Sequence, residues 1–228
     1  MRLVARIPLA IYYRLTEMRY RWKGRKTKFT DIYNRRGFGG KESLSGPGSS
    51  LAQTQVIRDE LPHLLKEINA RSVLDAPCGD FHWLKEVRLD IDRYIGVDIV
   101  PEIISMNQKE YGNDKRDFIV SDIARHPLPS ADVILCRDCF VHLSFKDIFK
   151  VLRNMIDSNS QYLLTTTFTD RIENRDIVTG RWRALNLQKP PFNFPLPVRL
   201  INEGCTELSG QYVDKCLGLW RIDAIEIS

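Results

Sequence analysis

The sequence predicts an α/β fold built on a doubly wound parallel sheet with helices on both faces. Apolar, strand-like runs alternate with amphipathic segments between residues 72 and 168, which is typical of parallel sheets with right-handed crossovers. A tight turn from Asp75 to Asp80 follows the first run, and the next strand-like run ends on an acid, Asp98. Together they form a strand–turn–helix–strand unit, which is one nucleotide-binding half of such a sheet.

The first half of the alternation consists of short apolar runs. Residues 72–75 and 94–98 are predicted strands, because each is apolar and ends at a turn. A short helix is predicted over 81–87. A second helix is predicted from Pro101 to about residue 110, since proline is favoured in the first turn of a helix. A third strand over 118–120 leads into Ser121 and Asp122.

The second half adds two strands and a longer helix. A proline-bounded loop precedes a predicted strand over 131–136. Ser144 is a predicted N-cap, because Asp147 occupies the third position of a capping box and apolar residues then recur at helical spacing. A strand is predicted over 162–168. The segment 215–227 is apolar and β-prone, but the pattern does not place the strands around it.

The N-terminal 70 residues differ in composition from the rest. Residues 1–28 carry a net charge of +8, whereas the remainder carries −3. Their apolar residues recur at helical spacing, which predicts a basic amphipathic extension suited to an anionic membrane surface. The alternative is a helix that packs on the domain and shows its basic face to water. Residues 29–70 are predicted to form a cap segment and a helix, and residues 71–228 the ligand-binding domain.

The turn after the first strand argues against a dinucleotide ligand. Pyrophosphate sites need several glycines for close backbone approach, whereas this turn has only Gly79. The carboxylates of Asp75 and Asp80 would repel a pyrophosphate but suit an ammonium group. Asp98 stands where a carboxylate accepts hydrogen bonds from two ribose hydroxyls. The residues therefore predict a phosphate-free nucleoside ligand with an amino group.

These residues resemble motif I and the following acidic strand end of class I S-adenosylmethionine (SAM)-dependent methyltransferases. The resemblance implies a Rossmann-like, seven-stranded and mostly parallel sheet with an N-terminal helical extension. It also implies that residues 215–227 contribute an antiparallel hairpin strand. SAM is the implied cofactor and methyl transfer the implied reaction.

The resemblance also implies roles for individual residues. Gly79 would let the backbone approach the methionine end of the cofactor, and Asp98 would bind the ribose hydroxyls. Asp122 would accept a hydrogen bond from the adenine amino group, with Ile99 and Ile123 on either side of the ring. The predicted cofactor-binding residues are Ser45, Gly46, Ser49, Thr54, Asp75, Ala76, Pro77, Cys78, Gly79, Asp80, Asp98, Ile99, Ser121, Asp122, Ile123 and Arg137.

The stretch after the fourth strand is predicted to face the transferred methyl group. Methyl transfer is an in-line displacement, so the enzyme must mainly align the reacting atoms. A hydroxyl acceptor must also lose its proton, and general-base help is typically worth about 10²–10⁴-fold. His142 is the candidate base, and Asp138 either orients it or acts as the base itself. The alternative for His142 is a structural hydrogen bond to backbone. The predicted catalytic residues are His142, Asp138 and Arg137.

A wider pattern resembles a bacterial subgroup of these enzymes that is often found alongside surface-polysaccharide and other glycan biosynthesis. The pattern covers residues 29 to about 222 and is carried by 45–49, 75–81, 137–144, 165–168, Asn174, 181–187, 190–192 and 214–215. It implies a sugar or glycan acceptor, including lipid-linked intermediates. The segment from Asp170 to Pro197 would then lie over the acceptor, with aromatic rings against the sugar and arginines against an anionic group. The predicted substrate-binding residues are Phe140, Thr167, Phe168, Arg175, Arg181, Trp182 and Phe192.

Composition also predicts what the protein does not use. Five cysteines without metal-ligand spacing predict reduced thiols and no metal site. No bilayer-spanning run is found in the sequence, and no nucleic-acid partner is expected. The expected location is the cytoplasm, with residues 1–28 providing peripheral contact at the inner membrane face. The alternatives are a methyltransferase of a small metabolite or protein side chain and a non-catalytic SAM-binding regulatory module.

Overall fold

The computed structural model describes residues 23–227, which contain a seven-stranded mixed sheet. Its spatial order is β3-β2-β1-β4-β5-β7-β6. The first five strands run parallel, and β7 is antiparallel to both β5 and β6. The predicted Rossmann-like sheet with an antiparallel hairpin is therefore confirmed. The strands are β1 (Ser72–Asp75), β2 (Arg93–Asp98), β3 (Arg116–Val120), β4 (Val133–Cys136), β5 (Tyr162–Phe168), β6 (Arg199–Asn202) and β7 (Lys215–Arg221).

The central strands bury side chains on both faces, because successive residues of a strand point to opposite sides. Val73 of β1 packs with Ile57 and Leu61 of the helix Gln55–Glu67. Its neighbour Leu74 packs on the other side with residues of the helix Phe145–Asp157. Two apolar cores therefore sandwich the sheet, as expected for doubly wound folds.

Four helices of more than one turn are found within the described part of the chain. They are α1 (Arg25–Asn34), α2 (Gln55–Glu67), α3 (Pro101–Tyr111) and α4 (Phe145–Asp157). The predicted cap of α4 is confirmed, because the Ser144 hydroxyl accepts a hydrogen bond from the Asp147 amide at 3.3 Å. None of the helices described between residues 23 and 227 has the length and apolar character needed to cross a membrane.

Two expectations are corrected by the structure, and one strand is added to them. The helix predicted over 81–87 is only a 3₁₀ turn, Leu84–Glu86, and Phe81 has a positive φ of 57° that cannot start a helix. The division of the chain at residue 28 cuts through α1. The short strand β6 follows a long loop and was not assigned from the sequence. The predicted helical extension over residues 1–22 lies outside the described residues.

Candidate active site

A cavity opens beyond the carboxyl ends of β1, β2 and β4, at the point where the strand order reverses. Doubly wound sheets bind their ligands at this topological switch point. The cavity, together with the solvent-filled space at its mouth, has a volume of about 1150 Å³. Most of the predicted cofactor residues line it: Ser45, Ser49, Asp75, Pro77, Cys78, Gly79, Asp80, Asp98, Ile99, Ser121, Asp122, Ile123 and Arg137.

The turn after β1 forms the floor of the cavity. Gly79 has a φ of 54°, and a Cβ atom there would lie 2.1 Å from the Ser45 hydroxyl oxygen, so only glycine fits. The Gly79 amide donates a hydrogen bond to Asp98 at 3.2 Å, and the Val100 amide donates to the other oxygen of Asp98 at 2.9 Å. The strand-end acid therefore fixes the turn against β2.

Asp80 connects the turn to the loop that precedes α2. Its carboxylate accepts hydrogen bonds from the Ser43 hydroxyl at 2.9 Å and from the Leu44 amide at 2.6 Å. The Asp80 amide in turn donates to the Ser45 hydroxyl at 3.2 Å. The loop of residues 43–45 is thus held against the turn, and the Asp80 carboxylate is largely engaged in that contact.

Two buried carboxylates give the cavity its electrostatic character. Burial raises the pKa of Asp75 to about 7, although the Tyr94 hydroxyl donates a hydrogen bond to it at 2.7 Å and opposes the shift. Burial also raises the pKa of Asp98 to about 6 against the effect of the backbone amides that it accepts from. Both acids therefore gain from any ligand that brings hydrogen-bond donors or positive charge.

Helix α1 forms a wall of the cavity opposite the sheet. Phe29 and Tyr33 line the cavity. The Arg25 guanidinium donates to Asp122 at 3.0 Å and to Asp147 at 2.7 Å, which ties α1 to the turn after β3 and to α4. The Asp122 carboxylate, predicted to meet the adenine amino group, is thus paired with Arg25 in this structure.

A buried charge cluster stands beside the cavity at the end of β4. Arg137 donates to Glu203 at 2.7 Å and to the Gly48 carbonyl at 2.8 Å. Lys215 donates to Asp138 at 2.7 Å. Although burial opposes it, the positive charges of Lys215 and Arg137 lower the pKa of Asp138 to about 2. Asp138 is therefore held ionised and is a very weak base.

Glu203 is a member of this cluster that sequence reasoning missed. It lies 66 residues from Arg137 in the chain, so no local spacing connects the two. One of its carboxylate oxygens, Oε1, is buried without a hydrogen-bond partner. Lys215 belongs to the sequence pattern of the glycan-associated subgroup. Its contact with Asp138, 77 residues away in the chain, was not predicted from the sequence.

His142 lines the cavity from the 3₁₀ turn Phe140–His142. Its Nδ1 atom lies 2.9 Å from the Arg181 carbonyl oxygen. Burial lowers the pKa of His142 below its ordinary value, so the neutral ring dominates at neutral pH. Asp138 has a φ of 51°, so no continuous helix runs from Asp138 to His142.

The comparisons with known proteins bear on this site. Residues 73–158 match a family model described as a methyltransferase domain. The matched segment includes the turn after β1, the acid at the end of β2 and the residues after β4. Residues 73–158 therefore form a methyltransferase domain. A site for S-adenosylmethionine agrees with the phosphate-free nucleoside expected from the turn.

Solved structures of other methyltransferases share the fold of this domain. The N-methyltransferase NodS from Bradyrhizobium japonicum, in complex with S-adenosylhomocysteine (SAH), is 16% identical over 84% of this chain and 97% of its own, with a TM-score of 0.58. The methyltransferase domain of bacterial CtHen1-C is 14% identical over 75% and 98%, with a TM-score of 0.55. Phosphoethanolamine N-methyltransferase 1 from Haemonchus contortus is 10% identical over 86% and 48%, with a TM-score of 0.58. No curated protein sequence matched the chain.

Three predicted cofactor residues of this methyltransferase domain do not line the cavity. The Thr54 hydroxyl is fully buried and donates to the Ser50 carbonyl at 2.8 Å. Ala76 is fully buried, and its amide donates to the Leu135 carbonyl. Gly46 has a φ of 105° and packs against Phe38, so it shapes the loop. Their effect on a ligand is indirect.

The predicted substrate residues are mostly parts of the core. Phe140, Thr167, Phe168 and Phe192 are buried. Phe192 packs on Phe145 and Phe149 and therefore offers no face to an acceptor. The Thr167 hydroxyl accepts from the Leu187 amide. None of the seven predicted substrate residues lines the cavity itself, and Trp182 is the large apolar one among them that stays exposed.

Arg175 and Arg181 have other surroundings than predicted. Arg175 is exposed and pairs with the neighbouring Glu173. Arg181 contributes its backbone carbonyl to His142. Within residues 23–227, no group of three or more metal-ligating side chains is found. All five cysteines are buried and free.

Proposed function

We propose that this methyltransferase transfers the methyl group of SAM to a hydroxyl of a sugar or glycan acceptor, with His142 as the general base. The observation that carries the proposal is the hydrogen bond between His142 and the Arg181 carbonyl. A carbonyl oxygen only accepts, so the ring hydrogen is on Nδ1 and the lone pair is on Nε2. A neutral histidine with a free lone pair at the cavity wall has the properties of a base for a hydroxyl.

The surrounding residues fit the cofactor. SAM supplies an electrophilic methyl group on a sulfonium. In this proposal the Asp98 carboxylate accepts hydrogen bonds from the ribose hydroxyls. Ile99 and Ile123 lie on either side of the adenine ring, and Asp75 faces the amino acid end of SAM. The fit is supported by the close packing at Gly79 and by the two buried acids, whose ionised forms need donors from a ligand.

Asp138 has a different role from His142 in this proposal. Its pKa of about 2 leaves it ionised but unable to remove a hydroxyl proton efficiently. It lines the cavity, and its side chain is 27% exposed. We therefore assign Asp138 as a hydrogen-bond acceptor that orients the acceptor, and His142 alone as the base. Arg137 is fixed by its hydrogen bonds to Glu203 and to the Gly48 carbonyl. Its guanidinium lies 3.3 Å from the Asp138 carboxylate and so positions it.

The sugar or glycan acceptor rests on the sequence resemblance to bacterial enzymes found alongside glycan biosynthesis. The NodS and Haemonchus enzymes are N-methyltransferases, so nitrogen is the rival acceptor atom. Incubation with radiolabelled SAM and a panel of sugars, nucleotide sugars and lipid-linked saccharides tests the proposal, with NMR of the product. A methoxy signal on a sugar carbon supports it. An N-methyl product, or transfer only to non-carbohydrate hydroxyls, overturns it.

The second part of the proposal is peripheral binding to an anionic membrane through residues 1–22. This segment carries +4 of the +8 charge of residues 1–28, and a basic segment gains binding energy from anionic lipid headgroups. A deletion must stop before Lys23, because α1 begins at Arg25 and lines the cavity. The full chain should sediment with vesicles of phosphatidylcholine and phosphatidylglycerol, but not with phosphatidylcholine alone. Equal sedimentation of the deletion variant contradicts membrane binding.

A further inference from the structure

Three aromatic rings form a cluster at the carboxyl end of β5. The ring centroid of Phe168 lies 6.1 Å from that of Trp182 and 5.7 Å from that of Tyr212, both nearly edge to face. Trp182 and Tyr212 touch each other, with centroids 4.9 Å apart. Phe168 is buried, whereas Trp182 is 42% exposed. The buried ring thus supports one exposed ring, Trp182, and one half-buried ring, Tyr212.

The cluster is joined to Asp138 through β5. Thr166 and Phe168 are two residues apart, so their side chains share one face of the strand. The Thr166 hydroxyl accepts a hydrogen bond from the Asp138 amide at 2.8 Å. Two strand residues advance by about 7 Å. The cluster therefore begins about 7 Å further along β5 than the residue that binds the Asp138 amide.

A second connection joins the cluster to His142. Trp182 directly follows Arg181, whose carbonyl accepts from His142 Nδ1 at 2.9 Å. The next residue, Arg183, donates its amide to the Val141 carbonyl at 3.0 Å. Trp182 is thus fixed by main-chain hydrogen bonds to the turn that carries the base. On the other side, the Tyr212 carbonyl accepts from the Lys215 amide, and Lys215 pairs with Asp138.

The chemistry of this arrangement suits a carbohydrate ring. A sugar presents C–H groups on its ring face and hydroxyls at its edge. An indole offers a flat apolar surface together with a polar tip, and an ionised carboxylate accepts hydrogen bonds from hydroxyl groups. Because Phe168 and the main-chain contacts hold Trp182 in place, little side-chain entropy is lost on binding.

We propose that Trp182 and Tyr212 form a stacking subsite for a carbohydrate ring of the acceptor, with Asp138 and His142 at the edge of that ring. This inference rests on the proposed function and adds to it the residues that select the acceptor. Tyr212, which the sequence did not single out, closes the side of the subsite. The subsite determines acceptor affinity and contributes nothing to the binding of SAM.

The test is the kinetics of four single variants with radiolabelled SAM and a fixed acceptor panel. The panel contains methyl glycosides of common hexoses and deoxyhexoses, a disaccharide, glycerol, catechol and a serine peptide. The variants are Trp182→Ala, Trp182→Phe, Tyr212→Ala and, as a matched control, Leu196→Ala, which removes a side chain that is 84% exposed elsewhere. The affinity for SAH is measured by calorimetry in parallel.

We expect Trp182→Ala to raise the KM for the best saccharide about tenfold, the size of one lost aromatic contact. The kcat and the SAH affinity should remain nearly unchanged. Trp182→Phe should recover most of the loss, because it keeps a flat face. Tyr212→Ala should raise KM as well, and Leu196→Ala should change nothing.

The outcomes separate this inference from the proposed function. Methylation of a saccharide with unchanged KM in Trp182→Ala and Tyr212→Ala refutes the subsite but leaves the function. Transfer only to catechol, glycerol or the peptide refutes both the sugar acceptor and the subsite. Folded, SAH-binding enzyme that methylates nothing in the panel also refutes both. Loss of vesicle binding in Trp182→Ala with unchanged KM would assign the rings to a membrane contact instead.

Discussion

The Nδ1 atom of His142 and the backbone carbonyl oxygen of Arg181 are 2.9 Å apart. This hydrogen bond joins the turn after β4 to the long segment between β5 and β6. It is reinforced by the Gly180 amide, which donates to the His142 carbonyl at 2.8 Å. The covering segment therefore fixes both the tautomer and the position of the ring. The Nδ1 atom of His142 is thus bound to the backbone, whereas its Nε2 atom keeps the lone pair that a general base needs.

Replacement of His142 by glutamine should slow methyl transfer without weakening cofactor binding. Glutamine keeps a donor for the Arg181 carbonyl but has no basic nitrogen. We expect kcat to fall by about 10²–10⁴-fold, the usual contribution of a general base, and the dissociation constant for SAH to stay within about twofold. Methyl transfer and calorimetry measure the two quantities. The control His63→Gln changes an exposed histidine on α2.

The same pair of variants gives a pH test. The base must be neutral to act, and burial lowers the pKa of His142 below 6.5. At saturating SAM, the kcat/KM of the wild type for the acceptor should rise with pH through that lowered pKa and level off before neutrality. His142→Gln should lack this rise, whereas His63→Gln should keep it. A parallel loss of activity and SAH affinity in His142→Gln would show that the residue is only structural.

Lys215 should be a large contributor to stability, because it compensates the buried carboxylate of Glu203 and the partly buried carboxylate of Asp138. It lies 2.7 Å from Asp138 and 3.4 Å from Glu203, and both lysine and Glu203 side chains are almost completely buried. Removal of one partner from a buried ion pair costs about 3–5 kcal/mol. We expect Lys215→Met to lower the free energy of unfolding in urea by that amount. Arg175→Ala removes an exposed pair and should have little effect.

Partial rescue identifies the cause of the loss. In Lys215→Met, Arg137 is left with two carboxylates, those of Asp138 and Glu203. The double variant Lys215→Met with Glu203→Gln removes one of these negative charges and should recover part of the stability. If Lys215→Met unfolds at the same urea concentration as the wild type, the buried cluster is not held together by this lysine.

The ionised Asp98 carboxylate should lower the stability of the fold and strengthen cofactor binding. Its folded-state pKa is about 6 against an ordinary value of 3.8, so the folded state holds the proton more tightly than the unfolded chain. The contribution of Asp98 to the free energy of unfolding is therefore fully present below pH 4 and is lost as the pH rises to about 6. We expect Asp98→Asn to raise the free energy of unfolding at pH 8 by up to about 3 kcal/mol, with little gain at pH 4.

The same substitution should weaken cofactor binding. The Asp98 carboxylate must be ionised to accept hydrogen bonds from both ribose hydroxyls. The SAH affinity of the wild type should therefore fall as the pH drops below about 6. Asp98→Asn should bind SAH at least about tenfold more weakly at pH 8 and should lack the change in affinity near pH 6. Asp92→Asn, an exposed control, should behave as the wild type. Unchanged SAH affinity in Asp98→Asn would remove this residue from the cofactor site.

Much of the fold could be predicted because its central strands are continuous apolar runs. The bounds of β1 and β5 agree with the predicted ones, and β2 starts one residue earlier. In contrast, only Ile201 of β6 is buried, so this edge strand has no apolar run that sequence could detect. Helix α1 was missed for a similar reason, since it buries only Lys28 and Ile32.

The site was predictable where its residues are close in sequence. The turn from Asp75 to Asp80 carries its own chemical signature, and nearly all of it lines the cavity. Glu203 reaches Arg137 only through the sheet topology, which no local pattern encodes. Phe192 was wrongly assigned to the acceptor, because an aromatic residue in a loop has the same sequence signal whether it faces a ligand or the core.

Arg25 should control how long the cofactor stays bound. Its guanidinium bridges Asp122 and Asp147 and so holds α1 over the cavity, where Phe29 and Tyr33 form the wall. Charge-assisted, partly buried contacts of this kind are each worth about 1.5–3 kcal/mol. We expect Arg25→Ala to raise the dissociation rate of SAH about tenfold. It should also raise hydrogen exchange in residues 25–34, because the helix loses its anchor to β3 and α4.

The neighbouring Lys26 provides the control for this prediction, since it is exposed on the same helix. Lys26→Ala removes the same charge from the chain and should leave both the dissociation rate and the exchange unchanged. Stopped-flow displacement of SAH measures the rate. An equal effect of the two variants would mean that the net charge of the helix, and not the bridge to Asp122 and Asp147, retains the cofactor. Faster exchange with an unchanged dissociation rate would show that α1 moves without gating the cavity.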